Sequence, residues 1–117
     1  MPNYLEDDIH IAYMEWVRLH SDLAKVTWHT PNQRNCSPQR GNKLRKMGVL
    51  SGVPDIFMAI PKGGYSGLFI EMKSPKGNLT PAQKMMLERL NNQGYKAISC
   101  RSVDEAITQT KNYLFME

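Results

Sequence analysis

Only two cysteines occur in 117 residues, Cys36 and Cys100, with no CxxC pair and no cysteine–histidine cluster. That excludes a disulfide framework and a structural zinc site, and both residues read as reduced thiols. No apolar run approaches the roughly 18 residues of a membrane helix. The start, MPNYLEDD, has neither the basic nor the apolar region of a secretory leader, so the reading is a cytoplasmic protein without membrane contact. Repeats and low-complexity tracts are missing too. With 41% hydrophobic and 22% charged residues, what remains is the composition of a folded globule, of a length that suits one domain.

Acid is missing from a whole third of the chain. Between Leu23 and Pro54 there is no Asp or Glu, while Lys25, Arg34, Arg40, Lys43, Arg45 and Lys46 all fall there. The residues before it are the reverse, with Glu6, Asp7, Asp8, Glu15 and Asp22 against Arg18 alone. The net charge of +4 is too small to imply a partner. Its segregation suits an enzyme that holds a cation with a few carboxylates and a polyanion with a basic stretch.

Apolar periodicity predicts a first helix over Tyr4–Leu19, with Asn3 as its cap. A short strand at Val26–Trp28 leads into a loop rich in Pro, Asn and Ser, and Ser37-Pro38 opens a short helix to Met47 that Gly48 stops. Asp55–Ile60 and Leu68–Lys73 are strands joined as a hairpin through PKGGYSG. Thr80, Pro81 and Gln83 form a capping box for a helix to Asn92, which Gly94 ends. A strand over Tyr95–Cys100 and a helix to about Phe115, opened by a second capping box of Ser102 with Glu105, complete the order. The connection between the strands at Lys73 and Tyr95 has crossover length, so those strands should run parallel. The fold class is α/β, a small mixed β-sheet flanked by helices.

Alternation along Leu68–Lys73 puts Leu68, Ile70 and Met72 on one face and Phe69, Glu71 and Lys73 on the other. A carboxylate and an ammonium at the end of an apolar strand require partners or a task. Pairing the hairpin about Gly63 sets Asp55 opposite Glu71. Two carboxylates across a strand pair repel unless a cation lies between them, which is a reason to expect Mg²⁺. Lys73, on the same face, is placed to stabilise a hydroxide or the charge of a phosphate under attack. Asp55, Glu71 and Lys73 are thus the minimum parts of metal-assisted phosphodiester hydrolysis.

Pro54-Asp55, fifteen intervening residues and Glu71-Met72-Lys73 resemble the PD-(D/E)xK nuclease superfamily. GVPDIF, the apolar strand ending in EMK, and SPKGNLTPAQ with its helix are similar to the VRR-NUC group, which takes in small phage and prophage nucleases and the catalytic domain of the Fanconi-associated nuclease. The resemblance implies a restriction-endonuclease-like core and a Mg²⁺ cofactor for which Mn²⁺ substitutes. It implies metal ligation by Asp55, Glu71 and the Met72 carbonyl, joined by an acid of the first helix. Glu6 is the choice, ahead of Asp8 and Glu15, because Glu6, His10, Tyr13 and Val17 form one stripe. The spacing of Asn3 and Glu6 equally fits a capping box. Gln83 is either a cap or a supporting residue that approaches the lysine, and the two roles are compatible. His10 either orients water or phosphate, or packs.

The resemblance also gives the basic stretch a task. Asn32, Arg34, Arg40, Lys43 and Lys46 fall in a stretch that in the family lies beside the site, where Lys and Arg would hold the phosphate backbone, and Lys62, Lys76 and Lys84 around the motif would extend the track. The reading is a structure-specific DNA endonuclease, in its specific form a Holliday-junction resolvase acting as a homodimer, since a two-fold junction suits two copies. The alternatives are a flap- or duplex-cutting repair or restriction-type endonuclease, and a DNA-binding module with the same fold and no catalysis.

Overall fold

The structure, a computed structural model, describes residues 4–31 and 37–117. Its elements run α1 (Tyr4–Arg18), α2 (Ser21–Ala24), β1 (Thr27–His29), α3 (Pro38–Lys46), β2 (Ile56–Met58), β3 (Leu68–Met72), α4 (Pro81–Asn92), β4 (Lys96–Cys100) and α5 (Val103–Leu114). The Asn3 cap lies outside the described residues. The short α2 has no counterpart in the expected elements; it turns the chain from α1 into β1 and buries Leu23.

The four strands form one mixed sheet in the order β1-β2-β3-β4. β1 and β2, and β2 and β3, pair antiparallel, while β3 and β4 are parallel. That parallel pair follows from the α4 crossover, which must return the chain to the same end of the sheet. One face of the sheet carries Ile56, Met58, Leu68, Ile70, Met72 and Cys100, all buried beneath Tyr13 and Val17 of α1 and Ala106 and Tyr113 of α5. Tyr13 donates to Thr110 Oγ1 at 2.8 Å, and Thr110 passes its own proton to the Ala106 carbonyl at 2.7 Å. Both hydroxyls are therefore satisfied inside the core that joins α1 to α5. Burial pushes the Cys100 thiol up to about 12, so it stays protonated and packs as an apolar group. On the opposite face Phe57 stacks on Phe69 and Phe69 meets Tyr95 edge-on, while Asn91 of α4 brackets the backbone of Ala97 with two hydrogen bonds of 3.0 Å.

The hairpin turn is Lys62-Gly63-Gly64-Tyr65, closed by reciprocal bonds of 3.1 and 2.8 Å between Lys62 and Tyr65. Gly63 and Gly64 have φ of 58° and 84°, the left-handed values that a two-residue hairpin of this hand requires. The turn is thus centred between Gly63 and Gly64, while the strand pairs beyond it are symmetric about Gly63, as expected. Continued straight from the Lys62–Tyr65 bridge, the register would set Asp55 against Met72. Three residues, Ala59 to Pro61, instead face two, Ser66 and Gly67, and the odd residue shifts the pairing to Ile56 with Ile70. One step beyond the last pair, the side chains of Asp55 and Glu71 come together and share a hydrogen bond.

No helix among the described residues is long and apolar enough to cross a membrane.

Candidate active site

Three elements deliver one carboxylate each. Glu6 comes from the first turn of α1, Asp55 from the residue before β2, and Glu71 from the end of β3. All three are buried, and one oxygen of each lies within 4.8 Å of the others. Asp8 and Glu15, the other acids considered on α1, are exposed and stand outside this cluster.

The backbone fixes Asp55 firmly. Its Oδ2 accepts from the Met72 amide at 2.9 Å, so the carboxylate is tied to the strand that carries Glu71. Its carbonyl accepts from the Thr30 amide at 2.7 Å and from His29 Nδ1 at 2.9 Å. Because a carbonyl only accepts, His29 carries its proton on Nδ1 in this contact. Nothing in the sequence singled out His29, a lone imidazole at the end of a three-residue strand.

His10 meets the His29 ring edge-on at 4.5 Å. Burial holds its pKa below the usual imidazole value, and the neighbouring His29 lowers it further. His10 thus packs against the residue that steadies Asp55.

Burial pushes the Glu71 carboxyl up to about 9, and the charge of Asp55 and a hydrogen bond shared with it act in the same direction. The Lys73 ammonium opposes this shift without overcoming it. Lys73 Nζ also lies 3.8 Å from Glu6 Oε1, closing the circle of charge. Among the described residues three carboxyl groups gather with one ammonium in a small volume, an excess of acid over base. Oxygen donors with such an excess fit a hard divalent cation.

Gln83 is both a cap and a residue of the site. Its Nε2 donates to Glu71 Oε2 at 3.3 Å, while its Oε1 accepts from the Thr80 amide at 2.9 Å. The capping box is complete as well, with Thr80 Oγ1 accepting from the Gln83 amide at 3.1 Å. α4 is held in place by Gly52, where φ is 84° and a Cβ would stand 2.5 Å from the Ala82 carbonyl. The glycine of GVPD therefore lets the chain pass against the start of α4 and brings Asp55 and Gln83 to the same site.

Residues 5–104 match the VRR-NUC domain. The chain belongs to the VRR-NUC family. This is a nuclease family of the PD-(D/E)xK superfamily. A solved structure described as a VRR_NUC domain protein is similar over 99% of this chain and 93% of that one, with a TM-score of 0.85 and 29% identity. No curated protein matches the sequence.

A VRR-NUC nuclease needs a surface for DNA. Arg34, Asn32 and Cys36 lie outside the described residues. Arg40, Lys43 and Lys46 are exposed on α3, spaced by three so that they share one side of that helix. Ser37 caps α3, its Oγ accepting from the Arg40 amide at 3.1 Å, and Pro38 begins it. Lys76 is exposed in the loop that follows β3 and Lys84 on the outer side of α4, whereas Lys62 is half-buried in the hairpin turn. The Met72 side chain is buried in the core, so only its backbone borders the carboxylates.

Proposed function

We propose that this VRR-NUC nuclease is a divalent-metal-dependent DNA endonuclease whose working form is a homodimer and whose preferred substrate is a four-way junction. The convergence of Glu6, Asp55 and Glu71 within 4.8 Å, beside the Lys73 ammonium, carries the metal-dependent part of this reading. These carboxylates, with the Met72 carbonyl, would hold Mg²⁺ or Mn²⁺. A divalent cation bound there lowers the pKa of water to give a nucleophile at neutral pH and neutralises charge on the phosphate.

The chain's own residues supply the remainder. Lys73 places a positive charge where negative charge grows on the attacked phosphate, and Gln83 fixes the rotamer of Glu71. The Met72 amide and His29 hold Asp55 from its two ends. Arg40, Lys43, Lys46 and Lys76 hold the strand by its phosphates and carry no base code, which favours recognition of shape over sequence. A two-fold junction is matched by two copies of one chain, and exposed Leu5, Leu19, Leu50 and Phe115 offer apolar surface for such a contact. The activity belongs in the cytoplasm, where DNA and reduced thiols coexist.

The test is cleavage of labelled four-way junction, flap, single-stranded and linear duplex DNA with Mg²⁺ or Mn²⁺, repeated with Asp55→Ala and Lys73→Ala. Metal-dependent cutting of the junction that both substitutions abolish is expected. Preferential cutting of flaps or duplex would replace the junction reading with a repair or restriction-type one. Binding without cleavage of any substrate would make the protein a DNA-binding module, and a DNA-bound monomer by sizing would overturn the dimer.

A further inference from the structure

A cleft of about 740 Å³ opens between α1, α2 and β1, within the range of pockets that enclose small ligands. Glu6 and Asp55 belong both to its wall and to the carboxylate cluster. Away from those acids its walls include the apolar Ile11, Met14 and Ala24 together with His10, Arg18 and His29. We propose that this cleft receives the unstacked nucleobase of a nucleotide next to the cleaved phosphate.

The lining selects among occupants. A second phosphate is disfavoured, because among the described residues that line the cleft the acids Glu6, Asp7 and Asp55 outnumber the one Arg or Lys, Arg18. A purely aliphatic group would have no use for Asp7 and Arg18. A nucleobase has two apolar faces for Ile11, Met14 and Ala24, and a polar edge that can both donate and accept. Ile11 is 54% exposed on the outer surface of α1, an apolar side chain at the water boundary of a polar cleft. Continuity with the carboxylates sets the reach: a phosphate at the cluster leaves its own base one sugar away from the cleft. Taking a base out of the stack costs free energy in duplex DNA, and least where pairing is already weakened, so the nucleotides at a branch are the ones most readily moved.

The inference rests on the nuclease reading, and the experiment separates the two. Oligonucleotides carry 2-aminopurine, which brightens when unstacked, at successive positions around a branch, and Ca²⁺ replaces Mg²⁺. Binding is followed independently by anisotropy. In the unaltered protein one position brightens about threefold or more on binding. Ile11→Ala, at an exposed helical site, and Met14→Phe, which fills the cleft, both remove most of that rise while affinity stays within about threefold. DNA that is bound and cut with no position-specific rise, or with a rise that both variants leave intact, overturns the nucleobase and leaves the nuclease reading standing. A protein that binds no DNA overturns both. If instead the two variants dissociate a dimer and leave the fluorescence unchanged, a second copy occupies the cleft and the proposal fails.

Discussion

Gln83 and Glu71 are joined side chain to side chain at 3.3 Å while the other end of the same amide caps α4. One residue thus stabilises a helix start and orients an acid of the site, and substitution can separate the two duties. Gln83→Glu keeps an acceptor for the Thr80 amide but brings a carboxylate up to Glu71. Stability by thermal melting should change by less than about 0.5 kcal/mol, with cleavage reduced about tenfold or more. Gln83→Ala should lose both, at about 1 kcal/mol of stability.

Asp55→Asn retains an oxygen that can accept from the Met72 amide, so the fold should survive with little change in melting temperature. Cleavage should fall by at least about a hundredfold, and Lys73→Met should produce a similar loss. Circular dichroism together with the cleavage rate checks both; unaltered rates would remove these residues from the chemistry.

The raised pKa of Glu71 gives the metal-free protein a signed pH dependence. Folding favours the protonated carboxyl, so this group's contribution is fully present below the unfolded value of 4.5 and is lost as pH rises toward about 9. In chelator, the stability of the unaltered protein relative to Glu71→Gln should decline from pH 5 to pH 9. Mg²⁺ needs the ionised carboxylate, so it should raise the melting temperature more at pH 9 than at pH 6.

Gly52→Ala should be among the costliest single-methyl changes in the chain. Its φ of 84° and the Ala82 carbonyl 2.5 Å from the new Cβ oppose it together, and a loss of about 2 kcal/mol or more is expected in urea unfolding. Gly64→Ala is the control, with a similar φ and nothing within 4 Å.

Lys43→Ala and Lys46→Ala should weaken binding to every DNA sequence alike. Removing one lysine–phosphate interaction should reduce the slope of log affinity against log salt by about 0.9. Neither substitution should alter the melting temperature, since both side chains are exposed on α3.

Much of the fold was legible because its signals are local. The 3.6-residue stripe Glu6-His10-Tyr13-Val17, the T-x-x-Q box at Thr80 and the alternation of Leu68–Lys73 each depend on neighbours a few residues apart. The second capping box was legible only in part: Ser102 accepts from the Glu105 amide, but Glu105 reaches back to the Arg101 amide. The α2 turn was not visible, because four residues show no period.

By itself, the sequence determined the α/β order, the family, and the Asp55–Glu71–Lys73 motif, since strand alternation and caps are written in adjacent residues. The three-dimensional structure decided by what route those parts meet and at what distances. An odd residue between the Gly63-Gly64 turn and the strands sets Asp55 against Glu71. Glu6 joins them because α1 packs across the sheet through Tyr13 and Val17. His29 reaches the Asp55 carbonyl because β1 lies beside β2. Such contacts join residues far apart in the chain, and only packing of the core sets their distances.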